Sequence, residues 1–330
     1  MRTVLWLIAL VAVLFAAGWH LAARQIRSGI GQALAGMQAT GQASVADWRL
    51  QGFPWRFDLT LQEPRLASAD GQFAWAAPKL ELHALSYRPH HLIAVLPARQ
   101  TVWLGGEEID IQTADARASA VTRISTDVPL ERANVVARDL RLTGRLDWSM
   151  TVTELRLAAQ ALDDDPLGQN AIRIGAEATG IDLKGPAQAI LARAGLDAED
   201  GHLRLDGIVA TDRPLDRRAL DGRLRVTAVR ITDLAFDWGG LSLTGAGEMN
   251  VSSAGQPEGR IDLSLRNWRA LLPVLRQAGL IQPRSQAMAE SMLGMLAASD
   301  GNPDTLSLPL VLSGGAMALG PLPLGPAPRF

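Results

Sequence analysis

Alternation of apolar and polar residues over short stretches is the dominant pattern of the chain from Ala43 onward. Phe57, Leu59 and Leu61 alternate with polar neighbours, and the same period of two recurs in many later stretches. Successive side chains of a strand point to opposite faces of a sheet, so this alternation collects apolar side chains on one face and Arg, Asp, Thr or Ser on the other. The pattern predicts a mostly β protein with a one-sided antiparallel sheet. The later stretches include Ile172, Ile174 and Ala176; Leu203 and Leu205; Leu241 and Leu243; and Ile261, Leu263 and Leu265.

Two interruptions of this pattern predict helical insertions, at about residues 186–195 and 267–299. The first carries Pro186 in its opening turn and Gly195 just past its end, which is typical of a short helix. The second predicts a helix pair. Its first helix starts at Asn267 and stops at Gly279.

The second helix of that pair is predicted to start near Pro283. A stripe of three apolar side chains at helical spacing runs along it and predicts packing on the sheet, with an adaptable binding surface as the alternative. The stripe consists of Met288, Met292 and Leu296.

The opening stretch from Val4 to Ala23 carries no formal charge. At 1.5 Å per residue its length matches a bilayer core of roughly 30 Å. Trp6 and Trp19 lie near its two ends, where indoles favour the membrane interface. We therefore predict a signal anchor or transmembrane helix over residues 1–23 and a juxtamembrane helix over residues 24–42. A cleaved signal peptide, with Ala16-Ala17-Gly18 as its cleavage site, is the competing interpretation.

Everything from residue 43 to residue 330 is then one exported β-rich domain. The expected location is the inner membrane, crossed once, with the bulk of the chain in the periplasm. A β-rich body with only two Lys residues, Lys79 and Lys184, behind a signal-like segment is most simply exported.

Composition narrows the function classes. The 32 basic residues balance 34 acidic ones, so the chain has no cationic surplus for nucleic-acid phosphates, and no nucleic-acid partner is expected. The absence of cysteine excludes disulfides, thiol nucleophiles and Cys-ligated zinc.

Residues suited to catalysis do not form a recognisable motif. The five histidines lack ligand spacing, and the adjacent Glu107 and Glu108 should diverge on a strand. The run Asp163-Asp164-Asp165 lacks the alternation and closing Glu of a calcium loop. Neither a nucleophile elbow nor a phosphate-binding loop occurs. We expect no catalytic residue, no metal, no cofactor and no enzymatic activity.

Several segments resemble the alphaproteobacterial family known as domain of unknown function 2125 (DUF2125). The likeness covers most of the chain, but the family implies no activity. The segments that show this resemblance are Asp47-Trp48-Arg49, Gly52-Phe53-Pro54-Trp55-Arg56-Phe57-Asp58, Trp75-Ala76-Ala77-Pro78-Lys79-Leu80, Ala84-Leu85-Ser86-Tyr87-Arg88-Pro89-His90-His91 and Gly320 to Gly325.

The layout is also distantly similar to AsmA-like envelope proteins. That resemblance implies an elongated, curved antiparallel sheet, a groove or a folded-over sheet, with a few peripheral helices and an apolar groove that contacts lipid. The chain is much shorter than relatives thought to bridge two membranes.

Two functions remain open at this stage. The first is a membrane-anchored envelope protein that binds or handles lipid, or assists envelope assembly, through an apolar β groove. The second is a non-catalytic interaction scaffold with a closed β-sandwich core and an envelope protein partner. The candidate lipid-facing residues are Phe57, Leu59, Leu61, Leu80 and Leu82, with Trp55 or Trp75 at the rim.

Overall fold

The computed structural model describes residues 2–68, 71–216, 224–277, 286–299 and 302–329. Within these residues, strands dominate and pair into one antiparallel sheet of 20 strands, which confirms the prediction of a mostly β protein. The strands are β1 (Ala43–Ser44), β2 (Asp47–Gln51), β3 (Arg56–Gln62), β4 (Arg65–Ala67), β5 (Phe73–Ala76), β6 (Lys79–Leu85), β7 (Arg88–Leu96), β8 (Arg99–Leu104), β9 (Glu107–Gln112), β10 (Asp115–Thr122), β11 (Leu130–Gly144), β12 (Ser149–Ala161), β13 (Ala171–Lys184), β14 (Gly201–Thr211), β15 (Val226–Trp238), β16 (Leu241–Val251), β17 (Pro257–Arg266), β18 (Thr305–Ser313), β19 (Ala316–Leu319) and β20 (Leu322–Pro326).

Four α-helices accompany the sheet in the described part of the chain: α1 (Arg2–Ala39), α2 (Pro186–Arg193), α3 (Leu271–Gln277) and α4 (Gln286–Ser299). Helix α1 runs without a break through the two segments predicted as anchor and juxtamembrane helix. Side chains of α1 are described from residue 13 onward. Among the residues so described, no helix combines the length and the apolar character needed to cross a membrane.

The predicted helical insertions are present. Helix α2 begins at Pro186, and Gly195 follows its end with a φ of 74°. A short 3-10 helix, Trp268–Ala270, begins directly after Asn267 and leads into α3. The predicted stop at Gly279 and start at Pro283 lie outside the described residues.

The predicted packing stripe of α4 is wrong. Leu293 and Ala297 are the buried side chains of this helix and pack with Leu306 and Leu308 of β18. Met292 is only half-buried, Leu296 is exposed, and the side chain of Met288 lies outside the described set. Nearly every position of α4 is apolar or small, so helical spacing alone does not select the packed face.

The sheet is a meander in which each long strand of the N-terminal part is interrupted once. We call residues 45–46, 63–64, 77–78, 97–98 and 113–114 the break line. Backbone hydrogen bonds connect neighbouring interruptions, as from Glu63 N to Pro78 O at 2.9 Å and from Thr113 N to Ala98 O at 3.0 Å. Strand β11 pairs with both β10 and β9 and so joins the two parts separated by the break line.

The most extensive buried clusters lie toward the two ends of the meander. At the first end, α1 places Trp19 and Ala23 against Leu50 and Phe57. At the second end, α3 and α4 pack on β17 and β18 around the buried Trp268. Two smaller clusters, which include Val152 and Ile261, lie between them. The final strand, β20, pairs with β19 and contains Pro323 and Pro326.

Candidate functional site

A row of directly paired apolar residues crosses 13 strands of the sheet. Directly paired residues of antiparallel strands lie on the same face, so the whole row shares one face. Gly245 supplies the one position without a side chain, and Leu263 covers it, with Cδ2 at 2.6 Å from the position that a Cβ would take. We call this set the central row: Leu50, Leu59, Leu82, Ala94, Ala118, Val135, Leu157, Ala176, Leu205, Leu234, Gly245, Leu263 and Leu308.

Two further rows flank the central row and are equally free of polar side chains. One comprises Phe57, Ala84, Leu92, Ala120, Ala133, Ala159, Ile174, Gly207, Ile231, Gly247, Ile261, Leu310 and Leu319. The other comprises Leu96, Ala116, Ala137, Leu155, Ala178, Leu203, Phe236, Leu243, Leu265 and Leu306. The three rows form a continuous apolar face.

The opposite face of the same strands carries ion pairs. Arg173 pairs with Asp206 at 2.8 Å and Arg204 with Asp233 at 2.7 Å. These side chains alternate along their strands with members of the apolar rows. The predicted one-sided distribution of apolar and charged residues is therefore present in the structure.

Burial along the central row falls from its ends to its middle. Leu50 at one end is 7% exposed beneath α1, and Leu308 at the other end is 5% exposed beneath α4. Leu157, in the middle, is 40% exposed. The helices thus cover the two ends of the apolar face, while side chains between them reach solvent.

Five of the seven candidate residues lie together on this face. Leu59 pairs with Leu82, Leu61 pairs with Leu80, and Phe57 lies in the flanking row beside them. The four leucines are half-buried, whereas Phe57 is buried. The register therefore brings together the residues whose period-two spacing marked them in the sequence.

The two tryptophans that the sequence offered as alternatives for the rim are far apart in the sheet. Trp55 precedes β3, is mostly exposed and contacts Phe15 of α1, with ring centroids 5.4 Å apart. Trp75 lies on β5, across the break line, where its Nε1 donates to Gln100 Oε1 at 2.9 Å. Residues 77–78 interrupt the strand between Trp75 and the candidate leucines of β6, so Trp55 is the tryptophan on the same side of the break line as those leucines.

Trp19 has a role that the sequence did not indicate. Its spacing suggested a membrane interface, but its ring is buried against the sheet and its Nε1 donates to Arg56 O at 3.2 Å. Arg27, two turns further along α1, donates from Nη2 to Leu50 O at 3.2 Å. The apolar pattern of the α1 sequence does not indicate which distant residues its side chains contact.

A charged cluster on the polar face joins β3 to β6. His83 Nδ1 lies 2.6 Å from Asp58 Oδ1, and Arg56 Nη2 donates to Asp58 Oδ2 at 2.8 Å. Burial acts to raise the pKa of the Asp58 carboxyl, but the hydrogen bonds and charges of Arg56 and His83 outweigh it and hold that pKa below its ordinary value. The sequence reasoning missed this cluster because it depends on the pairing of Asp58 with His83.

The other chemical candidates behave as structural groups. Glu107 accepts a hydrogen bond from Trp148 Nε1 at 2.6 Å, whereas Glu108 accepts one from Trp103 Nε1 at 3.2 Å. The two carboxylates therefore have separate partners, as their adjacency predicts. In the described part of the chain, no three His, Asp or Glu side chains are grouped so that they could hold a metal ion.

A cavity of about 570 Å³ opens along the break line. Arg65 and Arg99 line it together with Asp110 and Gln112. The guanidinium of Arg65 lies over the Trp103 ring at 4.8 Å, and Asp110 accepts a hydrogen bond from Thr101. Charges of both signs line the cavity, so it shows no preference for an anion or a cation.

A family model described as "Uncharacterized protein conserved in bacteria (DUF2125)" matches residues 19–328. Neither a curated protein nor a solved structure matches the chain.

Proposed function

Because the chain belongs to the DUF2125 family of uncharacterized proteins conserved in bacteria, we propose its function from the apolar face of the sheet. The protein is a membrane-anchored envelope protein that binds or handles lipid acyl chains in an open trough. The floor of the trough is the central row with its two flanking rows.

The length of the apolar face supports this proposal. Neighbouring strands lie roughly 4.8 Å apart, so 12 steps between 13 strands give the central row a length of about 58 Å. This exceeds the ~30 Å hydrocarbon core of a bilayer. A surface of this length is large enough to contact whole acyl chains side by side.

The exposure of the middle of the row is the observation that carries the proposal. A closed sandwich core would bury Leu157 as deeply as Leu50 or Leu308, because interior side chains are packed at high density. Leu157 instead leaves 40% of its surface accessible. Exposed, contiguous apolar surface of this kind marks an interaction site in soluble domains.

Membrane anchoring by the stretch from Val4 to Ala23 is the second part of the proposal. Its support is the uncharged sequence of this stretch, of which the part before Phe15 extends beyond the sheet and is available to the bilayer, while Trp19 and Ala23 pack on the sheet. The bulk of the chain then lies in the periplasm. A C-terminal alkaline phosphatase fusion should be active in cells, and an inactive fusion together with an active cytoplasmic reporter would argue against export.

Exposed residues on α4 favour a second candidate function, an interaction scaffold. Met295 points away from the buried side of α4 and is mostly exposed. Methionine suits adaptable contacts with a protein partner. Crosslinking in cells separates the two functions, since a scaffold should trap one protein in a fixed ratio whereas a lipid trough need not.

The direct test of the trough places a charge in it. Leu157→Lys puts an ammonium on the exposed middle of the central row, and Ala158→Lys puts the same group on the opposite face of the same strand. The full-length protein is purified in nanodiscs, and uptake of a fluorescent fatty acid is measured. We expect Leu157→Lys to weaken uptake about tenfold, which corresponds to roughly 1.4 kcal/mol.

The control variant makes the result specific. Ala158 is exposed and adjacent to Leu157, so Ala158→Lys should bind the fatty acid as the unmodified protein does. Equal uptake by all three proteins, or no uptake by any, would refute the trough. Circular dichroism spectra of both variants should match that of the unmodified protein, because both positions already reach solvent.

A further inference from the structure

Three hairpins that turn at the same end of the sheet expose large apolar side chains. They connect β2 to β3, β6 to β7 and β10 to β11. Trp55 is 63% exposed, and Phe53, Tyr87 and Ile124 are also exposed. Ser86 N donates to Trp55 O at 2.9 Å, so the first two turns are in contact. We call Phe53, Trp55, Tyr87 and Ile124 the loop patch.

Helix α1 leaves the sheet beside the loop patch. Trp19 contacts Arg56 and Arg27 contacts Leu50, while Gln42 O, just after α1, accepts a hydrogen bond from Ala67 N at the opposite end of these strands. The helix therefore runs antiparallel to β2, and its N-terminal residues extend past the loop patch. At 1.5 Å per residue, the segment from Phe15 back to Arg2 projects about 20 Å beyond it.

The surface of α1 at this level is apolar as well. Val13, Leu14 and Phe15 are exposed, and Phe15 touches Trp55 of the loop patch. Phe53 packs edge-on to Trp19 and stacks on His20, with centroid separations of 5.2 and 5.4 Å. The exposed face of the helix thus continues directly into the loop patch.

We propose that the loop patch docks into the headgroup region of the bilayer that α1 enters. This inference rests on the anchoring part of the proposed function. If the projecting part of α1 inserts into the membrane, the bilayer surface lies at the level of the loop patch, and the patch is the part of the sheet nearest to it. The projecting ~20 Å of helix then enters the ~30 Å hydrocarbon core without having to cross it. Trp and Tyr favour this region because their rings are apolar and their polar groups can remain hydrated.

Docking of this kind fixes the sheet relative to the membrane. The first strands of the apolar face, which carry Leu50 and Leu59, then lie at the lipid surface. The inserted side chains are apolar or aromatic, so the contact should be insensitive to salt.

The absence of cysteine makes a direct test possible. Single variants Trp55→Cys, Tyr87→Cys and Ile124→Cys each carry one environment-sensitive fluorophore. The full-length protein is reconstituted in phosphatidylethanolamine–phosphatidylglycerol vesicles that contain spin-labelled lipids. Leu146→Cys is the matched control, because Leu146 is an equally apolar residue, 72% exposed, in a hairpin at the opposite end of the sheet. Leu14→Cys reports on α1 itself.

We expect quenching at positions 55, 87 and 124 by lipids labelled near the headgroup, and no quenching at position 146. Quenching at position 14 without quenching at the three loop positions overturns docking and leaves the anchor intact. The anchor and docking both fail if position 14 is also unquenched. A blue-shifted but unquenched signal at the loops indicates a protein partner in place of lipid and also overturns the proposal.

Discussion

Trp19 of α1 stacks on Phe57 of β3, with the two ring centroids 5.5 Å apart. This contact is the centre of the cluster that attaches the first helix to the sheet, and Trp19 also donates a hydrogen bond to Arg56 O. The helix, the first strands and one end of the apolar face are therefore stabilised together.

Removal of the Trp19 ring should loosen α1. We expect Trp19→Ala to lower the free energy of unfolding by about 3–5 kcal/mol, because it leaves a cavity and removes a buried aromatic contact. Differential scanning calorimetry measures the loss of stability. Limited proteolysis should show new cleavage sites within residues 24–42. Trp55→Ala is the control, since that ring is mostly exposed; an equal loss in both variants would contradict the arrangement.

The Asp58 cluster predicts a stability change in acid. The pKa of Asp58 is lowered from 3.8, so its contribution to stability is complete above that pH and disappears as the pH falls through the folded-state pKa. Asp58→Asn should cost about 1–2 kcal/mol at neutral pH and reduce the further loss below pH 3.8. Urea unfolding at several pH values tests this.

A variant of the partner checks which contact lowers the Asp58 pKa. His83→Gln removes the imidazole and keeps Arg56, so the acid-dependent loss of stability should shrink without disappearing. Unchanged acid dependence in Asp58→Asn would show that this carboxylate contributes nothing to it.

Substitution of Ala for glycine should change stability differently at two positions within strands. A Cβ on Gly247 would lie 2.3 Å from Arg260 O, whereas the nearest atom to a Cβ on Gly175 is 3.9 Å away. We expect Gly247→Ala to destabilise the pairing of β16 with β17 by roughly 1–3 kcal/mol. Gly175→Ala should be neutral or stabilising by up to about 1 kcal/mol. Melting temperatures measure both, and a stable Gly247→Ala would disprove the close approach.

The stability that the packing of helix α4 contributes should depend on Leu293 and not on Met295. Leu293→Ala empties a buried position against β18 and should cost about 2–5 kcal/mol. Met295→Ala changes an exposed side chain and should cost less than about 0.5 kcal/mol. Chemical unfolding of the two variants compares them, and a larger effect at Met295 would reverse the assigned orientation of the helix.

Local sequence patterns were sufficient to predict the strand content and the apolar face of the sheet. One side of β3 packs on apolar neighbours, and Phe57, Leu59 and Leu61 therefore alternate with polar residues. This alternation can be recognised within a single strand. The pairing of Leu61 with Leu80, or of Asp58 with His83, is a matter of register between strands. Register depends on turns and on cross-strand packing, so single-strand periodicity does not contain it.

The features that the sequence did not reveal have similar causes. Trp55 and Trp75 both lie near strand signals, but residues 77–78 of the break line separate their strands. In α4, apolar residues surround the helix, and contact with Leu306 and Leu308 selects Leu293 and Ala297. The contact of Trp19 with Phe57 was not predicted, because the two residues are far apart in the sequence. Each of these three features depends on tertiary contacts, which local sequence patterns do not reveal.

The final strand has a consequence for crowded surroundings. Two of the five residues of β20, Pro323 and Pro326, lack a backbone N–H and cannot donate to another strand. An edge with missing donors is a poor template for intermolecular β pairing. A long meander concentrated near a membrane would otherwise invite fibre-like growth from that margin, and the prolines protect it from such aggregation.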